Sequence, residues 1–242
     1  MDLQGIRTHF DEEASEYDAR ILRIVPQYRE QGELILGVLP FDADRPIRVL
    51  DLGCGTGALS YLVLAAFPAA TLVACDLSEN MLAMCGRRLA RFAPRATFRQ
   101  ADFGSCDLGA DKFDLVVSGL AIHHLDGAGT RALYQRIHRA LRPGGMFVNR
   151  ELVLGATPAW TRRYEQLWRE QVALSGESDR GWFQQYLDED QPASVEDHLT
   201  WLHDAAFVEI ACHFRRLNFS VFGGSKPGDA TSGGIRSSVA SA

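Results

Sequence analysis

The sequence predicts an α/β fold built on a doubly wound, mainly parallel β-sheet. Short apolar strands alternate with helical segments over residues 47–149, which is typical of βαβ units. A glycine-rich turn at 53–57 follows the first strand directly, and an acidic residue, Asp76, ends the second. Two apolar runs near the end, 208–214 and 218–222, predict an antiparallel hairpin because only a short connection separates them.

Within the alternating region, each predicted strand is bounded by a turn or a helix. The run 113–118 is nearly all apolar, as expected for a strand buried on both faces. Ser78 is predicted to begin a helix because its hydroxyl can accept a hydrogen bond from the first helical turn. An Arg-Pro-Gly-Gly sequence at 142–145 predicts a turn into the fifth strand. The predicted strands are 47–52, 71–75, 96–100, 113–118 and 146–149, and the helices between them are 58–67, 78–91 and 130–141.

We place the main domain at residues 46–224. Three segments differ in pattern from the rest of the chain. Residues 1–45 predict an N-terminal helical cap, which Pro26 divides into two helices. Residues 155–195 interrupt the alternation with aromatic and charged side chains and are interpreted as an inserted helical lid. Residues 225–242 are rich in glycine and serine and predict a flexible tail.

Composition limits the classes of partner. The chain has 242 residues and a formal net charge of -6, which disfavours nucleic acid as the main partner. No apolar run approaches the ~20 residues that a membrane-spanning helix needs. The five cysteines form no CxxC pair, which favours reduced thiols and a cytoplasmic location. We expect small-molecule partners, neither nucleic acid nor membrane, and a homodimer is compatible with the sequence.

The glycine turn and Asp76 together predict a site for an adenosine cofactor. Glycine has no Cβ and allows positive φ, so Gly53, Gly55 and Gly57 permit a tight turn and a close approach of backbone to ligand. An acidic residue about 20 positions further on typically binds ribose hydroxyls in doubly wound folds. This part of the pattern fits a dinucleotide and S-adenosylmethionine equally.

Further motifs distinguish between the two cofactors. Asp51 lies two residues before the first glycine, Asp102-Phe103 follows the third strand, and residues 141–145 precede the fifth. In this order and spacing, residues 47–150 resemble the class I S-adenosylmethionine-dependent methyltransferases. The resemblance implies a Rossmann-like, seven-stranded sheet whose last strand is antiparallel, and S-adenosyl-L-methionine as the cofactor.

The resemblance also implies cofactor-binding residues. Asp76 would hold the ribose and Asp102 the adenine amino group, while for Phe103 and Met81 the alternative is core packing. Tyr17 follows a Phe-Asp pair at 10–11 in a helix that covers the cofactor in similar enzymes, although it could equally serve packing. The implied set is Tyr17, Asp51, Gly53, Cys54, Gly55, Asp76, Leu77, Met81, Asp102, Phe103, Ser118 and Leu120.

The acceptor side carries fewer signals. Methyl transfer is an in-line displacement, so the protein mainly has to align the reactants and exclude water. His123 and His124 follow the fourth strand and are candidate general bases, the alternative being that they cap a loop. Glu151 ends the fifth strand and would orient a substrate or form an ion pair with Arg150. The other histidines show no metal-binding spacing, so we expect no metal site.

Lid aromatics could form a flat acceptor pocket or could only pack the lid. They are Trp160, Tyr164, Trp168, Trp182, Phe183 and Tyr186.

The segments 188–192, 195–202 and 218–224 resemble a bacterial branch related to the carboxy-S-adenosylmethionine synthases, which act in wobble-uridine modification of transfer RNA. Those enzymes use a lid arginine for the extra carboxylate of the cofactor, whereas here only Arg180 is available, in a different register. We therefore favour methyl transfer to a small molecule. A carboxy-S-adenosylmethionine synthase-like enzyme and a non-catalytic S-adenosylmethionine-binding protein are the alternatives, with a nicotinamide oxidoreductase more distant.

Overall fold

The computed structural model describes residues 17–176 and 179–228 of the chain. The helices are α1 (Tyr17–Ile24), α2 (Tyr28–Val38), α3 (Ala58–Ala66), α4 (Glu79–Leu89), α5 (Gly127–Ala140), α6 (Pro158–Leu174), α7 (Asp179–Glu189) and α8 (Val195–Asp204). The strands are β1 (Arg48–Leu52), β2 (Thr71–Asp76), β3 (Ala96–Gln100), β4 (Phe113–Gly119), β5 (Leu141–Leu152), β6 (Val208–Arg216) and β7 (Phe219–Ser225). Short 3-10 helices lie at Ala90–Phe92 and Ile122–His124.

One seven-stranded sheet has the order β3-β2-β1-β4-β5-β7-β6. The strands from β3 to β5 pair in parallel, and β7 pairs antiparallel with both β5 and β6. The predicted mainly parallel sheet and its antiparallel last strand are therefore confirmed. Because β1 and β4 are neighbours in the middle of the sheet, their carboxyl ends open a crevice at the point where the strand order reverses.

Helices cover both faces of the sheet, so the central strands are largely buried. The residues of β4 are buried up to Ser118, as the apolar run predicted. One face packs against α2, α3 and α4 through residues such as Ile35 and Val63. The other packs against α5 and α8 through residues such as Tyr134 and Leu202.

Local signals predicted several boundaries correctly. The hydroxyl of Ser78 accepts from Met81 N, which makes it the N-cap of α4. Pro26 separates α1 from α2. The predicted turn at 142–145 is instead part of β5, which begins at Leu141, and the pairing with β4 shifts register there. The predicted turn is wrong because glycines also permit a bulge within a strand.

The lid contains α6 and α7. These helices pack with α1 around a third apolar cluster, which includes Ile21, Trp168 and Phe219. Among the helices of the described residues, none combines the length and apolar character that crossing a bilayer requires. Phe10 and Asp11 of the predicted cap motif, and positions 229–242 of the predicted tail, lie outside the described residues.

Candidate active site

The glycine turn brings backbone to the carboxyl end of β1. Gly53 has φ of 65°, and its N–H and that of Cys54 donate to the carbonyl of Cys75 at 2.8 and 3.0 Å. A Cβ on Gly53 would lie 2.3 Å from the Cβ of Ala121, so only glycine fits. A Cβ on Gly55 would meet nothing within 4 Å, because that side of the turn faces a cavity.

Asp76 is fixed by the turn that it supports. Its carboxylate accepts from Gly55 N at 2.8 Å and from Ser78 N at 2.9 Å. Burial raises the pKa of Asp76, although these backbone N–H groups act in the opposite direction. Each carboxylate oxygen has two acceptor sites, so the side chain can still receive hydrogen bonds from a ligand.

Asp102 and Phe103 form the other end of the same cavity. The Asp102 carboxylate accepts from Gly104 N and from the Ser105 hydroxyl, both at 2.7 Å. Arg136 on α5 donates to the carbonyls of Phe103 at 2.9 Å and Gly104 at 2.5 Å, which holds the loop in place. These contacts orient a carboxylate and an aromatic ring toward one cavity.

We call this space the cofactor cavity. It measures about 840 Å³, including the open solvent at its mouth. Of the predicted cofactor residues, Tyr17, Gly53, Cys54, Gly55, Asp76, Leu77, Met81, Asp102, Phe103 and Leu120 line it. Of the residues that the sequence predicts for the acceptor side, His124 lines it as well. The rest of the lining consists of residues that the sequence did not predict: Tyr28, Thr56, Ala58, Leu59, Gly119, Ala121 and Leu125.

Two of the predicted cofactor residues lie behind the cavity wall instead. Asp51 is buried and accepts from the Ser60 hydroxyl at 2.6 Å, and burial raises its pKa to about 6. The hydroxyl of Ser118 donates to the Leu52 carbonyl at 2.8 Å. Both residues are at strand ends, where the alternation of side chains decides which residues face the ligand.

Helix α1 closes one side of the cofactor cavity. Asp18 forms an ion pair with Arg88 of α4 and accepts from the Thr56 hydroxyl at 2.7 Å. This links the cap to the glycine turn and places Tyr17 at the cavity, where burial raises the pKa of its hydroxyl. Tyr28 was missed because it lies in a separate helix with no motif of its own.

A second cavity, which we call the lid cavity, adjoins the first. It measures about 700 Å³, and Tyr17, Leu120 and His124 line both cavities. Leu120 has φ of 58°, which is uncommon for a residue with a side chain and marks this junction as a constrained point. The remaining wall comes from α1, β5, α6, α7 and β7, together with Val25, His123 and Asp190.

Aromatic rings form much of that wall. Trp168 lies at its centre, with ring centroids 4.5 Å from Trp182, 5.4 Å from Tyr186 and 5.1 Å from Phe219. Its indole N–H donates to the Ile24 carbonyl at 2.6 Å, which ties the lid to α1.

The lid aromatics differ in their positions. Trp168, Trp182 and Tyr186 line the lid cavity, whereas Trp160, Tyr164 and Phe183 do not. Trp160 is 54% exposed and lies beside Tyr164, at a centroid distance of 5.6 Å.

His123 and Glu151 form a buried pair. His123 Nδ1 lies 2.5 Å from a Glu151 carboxylate oxygen, and that carboxylate also accepts from Ile122 N and Leu152 N. Burial alone would lower the pKa of His123, but the carboxylates of Asp190 and Glu151 raise it to about 9. The imidazolium in turn lowers the pKa of Glu151 against the opposing effect of burial.

Glu151 is fully buried and lines neither cavity, so it reaches the site only through His123. It forms no ion pair with Arg150, whose guanidinium instead lies 3.9 Å from the ring centre of Tyr28.

His123, His124 and Asp190 meet at the wall of the lid cavity. A carboxylate oxygen of Asp190 lies 3.2 Å from His124 Nδ1 and 3.6 Å from His123 Nε2. The expectation of no metal site rested on sequence spacing, which could not show that Asp190 approaches the two histidines. Arg180 is the lid arginine available for the extra carboxylate of a modified cofactor, and its side chain lies outside the described residues.

Comparison with known proteins identifies relatives for most of the chain. Residues 49–145 match the family described as "Methyltransferase domain". The carboxy-S-adenosyl-L-methionine synthase of Chromohalobacter salexigens is 30% identical over 215 residues, covering 83% of this chain and 76% of that protein. The malonyl-[acyl-carrier protein] O-methyltransferase of Enterobacter lignolyticus is 33% identical over 154 residues, covering 61% of this chain and 56% of that protein.

Solved structures support the same fold. Phosphoethanolamine N-methyltransferase 2 of Haemonchus contortus, in complex with phosphomonomethylethanolamine and S-adenosylhomocysteine, superposes with a TM-score of 0.64 at 17% identity. The match covers 90% of this chain and 58% of that one. At this identity the likeness concerns the fold.

Proposed function

Because the chain belongs to the class I S-adenosylmethionine-dependent methyltransferase family, we propose that it transfers a methyl group to a small molecule bound in the lid cavity. The observation that carries this proposal is the junction of two cavities at Tyr17, Leu120 and His124. In-line displacement requires the acceptor to face the methyl donor from the opposite side, and adjoining cavities provide that arrangement.

S-adenosylmethionine supplies a methyl group activated by its sulfonium. Three features of the cofactor cavity fit this molecule. Gly55 leaves space that a Cβ would fill, which suits close contact with a ligand. We propose that the remaining acceptor sites of Asp76 bind the ribose hydroxyls and that those of Asp102 bind the adenine amino group. Phe103 would pack against the adenine.

The residues at the junction would orient the acceptor and exclude water. Tyr17 and His124 reach both cavities, so we propose that they position the acceptor beside the methyl group. The aromatic wall around Trp168 favours a flat or apolar acceptor. Glu151 acts as a positioning residue because its carboxylate holds the His123 ring.

A matched pair of glycine variants tests cofactor binding. Gly55 and Gly144 both have positive φ, at 52° and 75°, and a Cβ on either meets nothing within 4 Å. Alanine at each position should therefore cost about 1–2 kcal/mol of stability through the same backbone strain. Only Gly55→Ala should abolish the rise in melting temperature that S-adenosylhomocysteine produces, because ligands of the folded state stabilise it. Equal ligand shifts in both variants would contradict the proposed cavity, and so would a shift with NAD alone.

Methyl transfer itself is tested with S-adenosylmethionine labelled in the methyl group. The wild-type protein is incubated with a panel of small aromatic and carboxylic acceptors. The expected result is label in one class of acceptor together with an equal amount of S-adenosylhomocysteine. Cofactor binding without turnover across the panel would favour the non-catalytic alternative.

A carboxy-S-adenosylmethionine synthase-like activity is the second candidate. It is favoured by the 30% identity to a relative of that name and by Arg20, which lines the lid cavity and could attract a carboxylate. Incubation with S-adenosylmethionine and prephenate, followed by mass spectrometry, separates the two activities. Accumulation of a carboxylated cofactor would support the second, whereas S-adenosylhomocysteine and a methylated acceptor would support the first.

The remaining proposals concern partners, cellular location and domain boundaries. We propose that the chain acts on a small molecule in the cytoplasm, without nucleic acid, and that it can form a homodimer. The cysteines of the described residues are all free thiols, which supports a reducing compartment. The boundaries 46–224 for the main domain and about 155–195 for the lid stay predictions that limited proteolysis can test.

A further inference from the structure

We propose that His123, His124 and Asp190 bind a divalent transition-metal ion at the wall of the lid cavity. Two imidazole nitrogens and one carboxylate are ligands that such ions accept. All three residues line the lid cavity, so an ion there would face the acceptor. This inference rests on the proposed function, because it concerns how the acceptor is held.

The spacing of the ligand atoms is compatible with a shared ion. Metal–nitrogen and metal–oxygen bonds of about 2.0–2.2 Å give about 3.3 Å between neighbouring ligand atoms in a tetrahedral site. An Asp190 oxygen lies 3.2 Å from His124 Nδ1 and 3.6 Å from His123 Nε2, and the three ligand atoms all lie within 4.8 Å of one another. These distances allow one ion to contact all three side chains.

Glu151 completes the arrangement from behind. A histidine that ligates a metal usually donates its other ring N–H to a carboxylate, which fixes the ring and its tautomer. His123 Nδ1 lies 2.5 Å from Glu151, so its Nε2 is the nitrogen directed to the cluster. The Glu151 carboxylate is itself held by the N–H groups of Ile122 and Leu152, at 3.1 and 2.8 Å.

The backbone next to Asp190 is tied to the histidine segment by a main-chain hydrogen bond. The N–H of Gln191 donates to the carbonyl of His123 at 2.7 Å, which ties the end of the lid to the histidine segment. The cluster therefore joins residues that are far apart in the chain through a short main-chain contact. A site built this way needs little rearrangement to close around an ion.

The ion would determine the class of acceptor. Three protein ligands leave at least one coordination position open, as in catalytic zinc sites. Because the three ligand residues line the lid cavity, the acceptor would be a small molecule with a hydroxyl or carboxylate oxygen that coordinates the ion. A bound metal lowers the pKa of a coordinated hydroxyl, so the oxygen would reach its nucleophilic form by releasing its proton to water.

Cobalt titration of the wild-type protein, with any histidine tag removed, tests the site. Co²⁺ at three such ligands should give visible absorption that saturates at one ion per chain. Asp190→Asn and His124→Gln should each weaken binding by more than the roughly 10- to 100-fold expected for Glu151→Gln, which removes only an outer partner. His203→Gln is the matched control, because His203 lies beside Asp204 on an exposed part of α8 and should leave the titration unchanged.

The same samples separate this inference from the proposed function. A melting-temperature shift with S-adenosylhomocysteine reports the cofactor cavity without the metal. If that shift persists and the wild-type protein gives no saturable cobalt signal, the metal site is wrong and the methyltransferase proposal stands. Cobalt binding that is equally strong in the wild type, Asp190→Asn and His124→Gln would also overturn the site. Loss of the ligand shift in the wild type would contradict the proposed function instead.

Discussion

The cofactor cavity and the lid cavity adjoin each other but are built in different ways. Most of the cofactor cavity comes from residues 53–125, where backbone turns leave the ends of neighbouring strands. The lid cavity is formed mainly by side chains of α1, β5, α6, α7 and β7, together with His123, His124 and Asp190, and these parts are distant in sequence. A cavity built from backbone is specified by a local motif, whereas one built from side chains depends on the packing of the whole fold.

Asp76→Ala should have the largest effect, confined to the cofactor cavity. Hydrogen bonds to a charged group contribute about 1.5–3 kcal/mol each, so losing two ribose contacts should weaken S-adenosylhomocysteine binding by about 100-fold or more. Calorimetric titration measures this, with melting temperature as a check because Asp76 also accepts from Gly55 N. Asp204→Ala is the control, because it removes the same charge at an exposed position. A loss of affinity of less than about threefold in Asp76→Ala would mean that Asp76 does not bind the ribose.

Trp168→Phe should affect the lid cavity and leave the cofactor cavity intact. The variant loses the hydrogen bond to Ile24 and part of a ring that is only 3% exposed, so the free energy of unfolding should fall by about 2 kcal/mol. Urea denaturation measures the loss. Trp160→Phe, on the same helix but 54% exposed, should change stability by less than about 0.5 kcal/mol.

The affinity of Trp168→Phe for S-adenosylhomocysteine tests whether the two cavities are independent. It should stay within about threefold of wild type, because Trp168 does not line the cofactor cavity. A large loss of affinity would show that the two cavities are not independent.

Acidification should produce the smallest effect, and one of opposite sign at His198, which lines neither cavity, and at Asp51 beneath the glycine turn. His198 on α8 is buried, with Nδ1 2.7 Å from the Tyr134 hydroxyl, and burial lowers its pKa to about 4. Since the unfolded chain takes up this proton near pH 6.5, stability is lost as pH falls from about 6.5 toward 4. Asp51, beneath the glycine turn, has its pKa raised by burial to about 6. The destabilisation caused by burying its charge therefore decreases as the carboxylate takes up a proton, over about the same pH range.

A variant isolates the histidine contribution. Between pH 7 and 5.5, wild-type protein should lose about 1 kcal/mol relative to His198→Gln, measured by urea denaturation at both pH values. A constant difference between wild type and His198→Gln at the two pH values would mean that His198 does not stay neutral in the folded protein.

The sequence was informative where a residue's role follows from its neighbours in the chain. The five parallel strands, the break at Pro26 and the N-cap at Ser78 were predicted from local patterns. Most cofactor candidates also line one cavity, since a strand-turn-helix unit fixes its own geometry. Asp51 and Ser118 lie behind that cavity because a motif gives the position of a residue but not the face toward which its side chain points.

By itself, the sequence determined the fold class, the glycine turn and the acidic residues at the ends of β2 and β3, because each depends on backbone preferences over a few residues. Only the tertiary structure decided which aromatic residues surround the lid cavity, that Glu151 holds His123, and that Asp190 meets two histidines more than 60 positions earlier. Long-range contacts of this kind arise from packing free energy summed over the whole molecule. No short segment encodes that sum, so the acceptor side of this protein is decided by its packing.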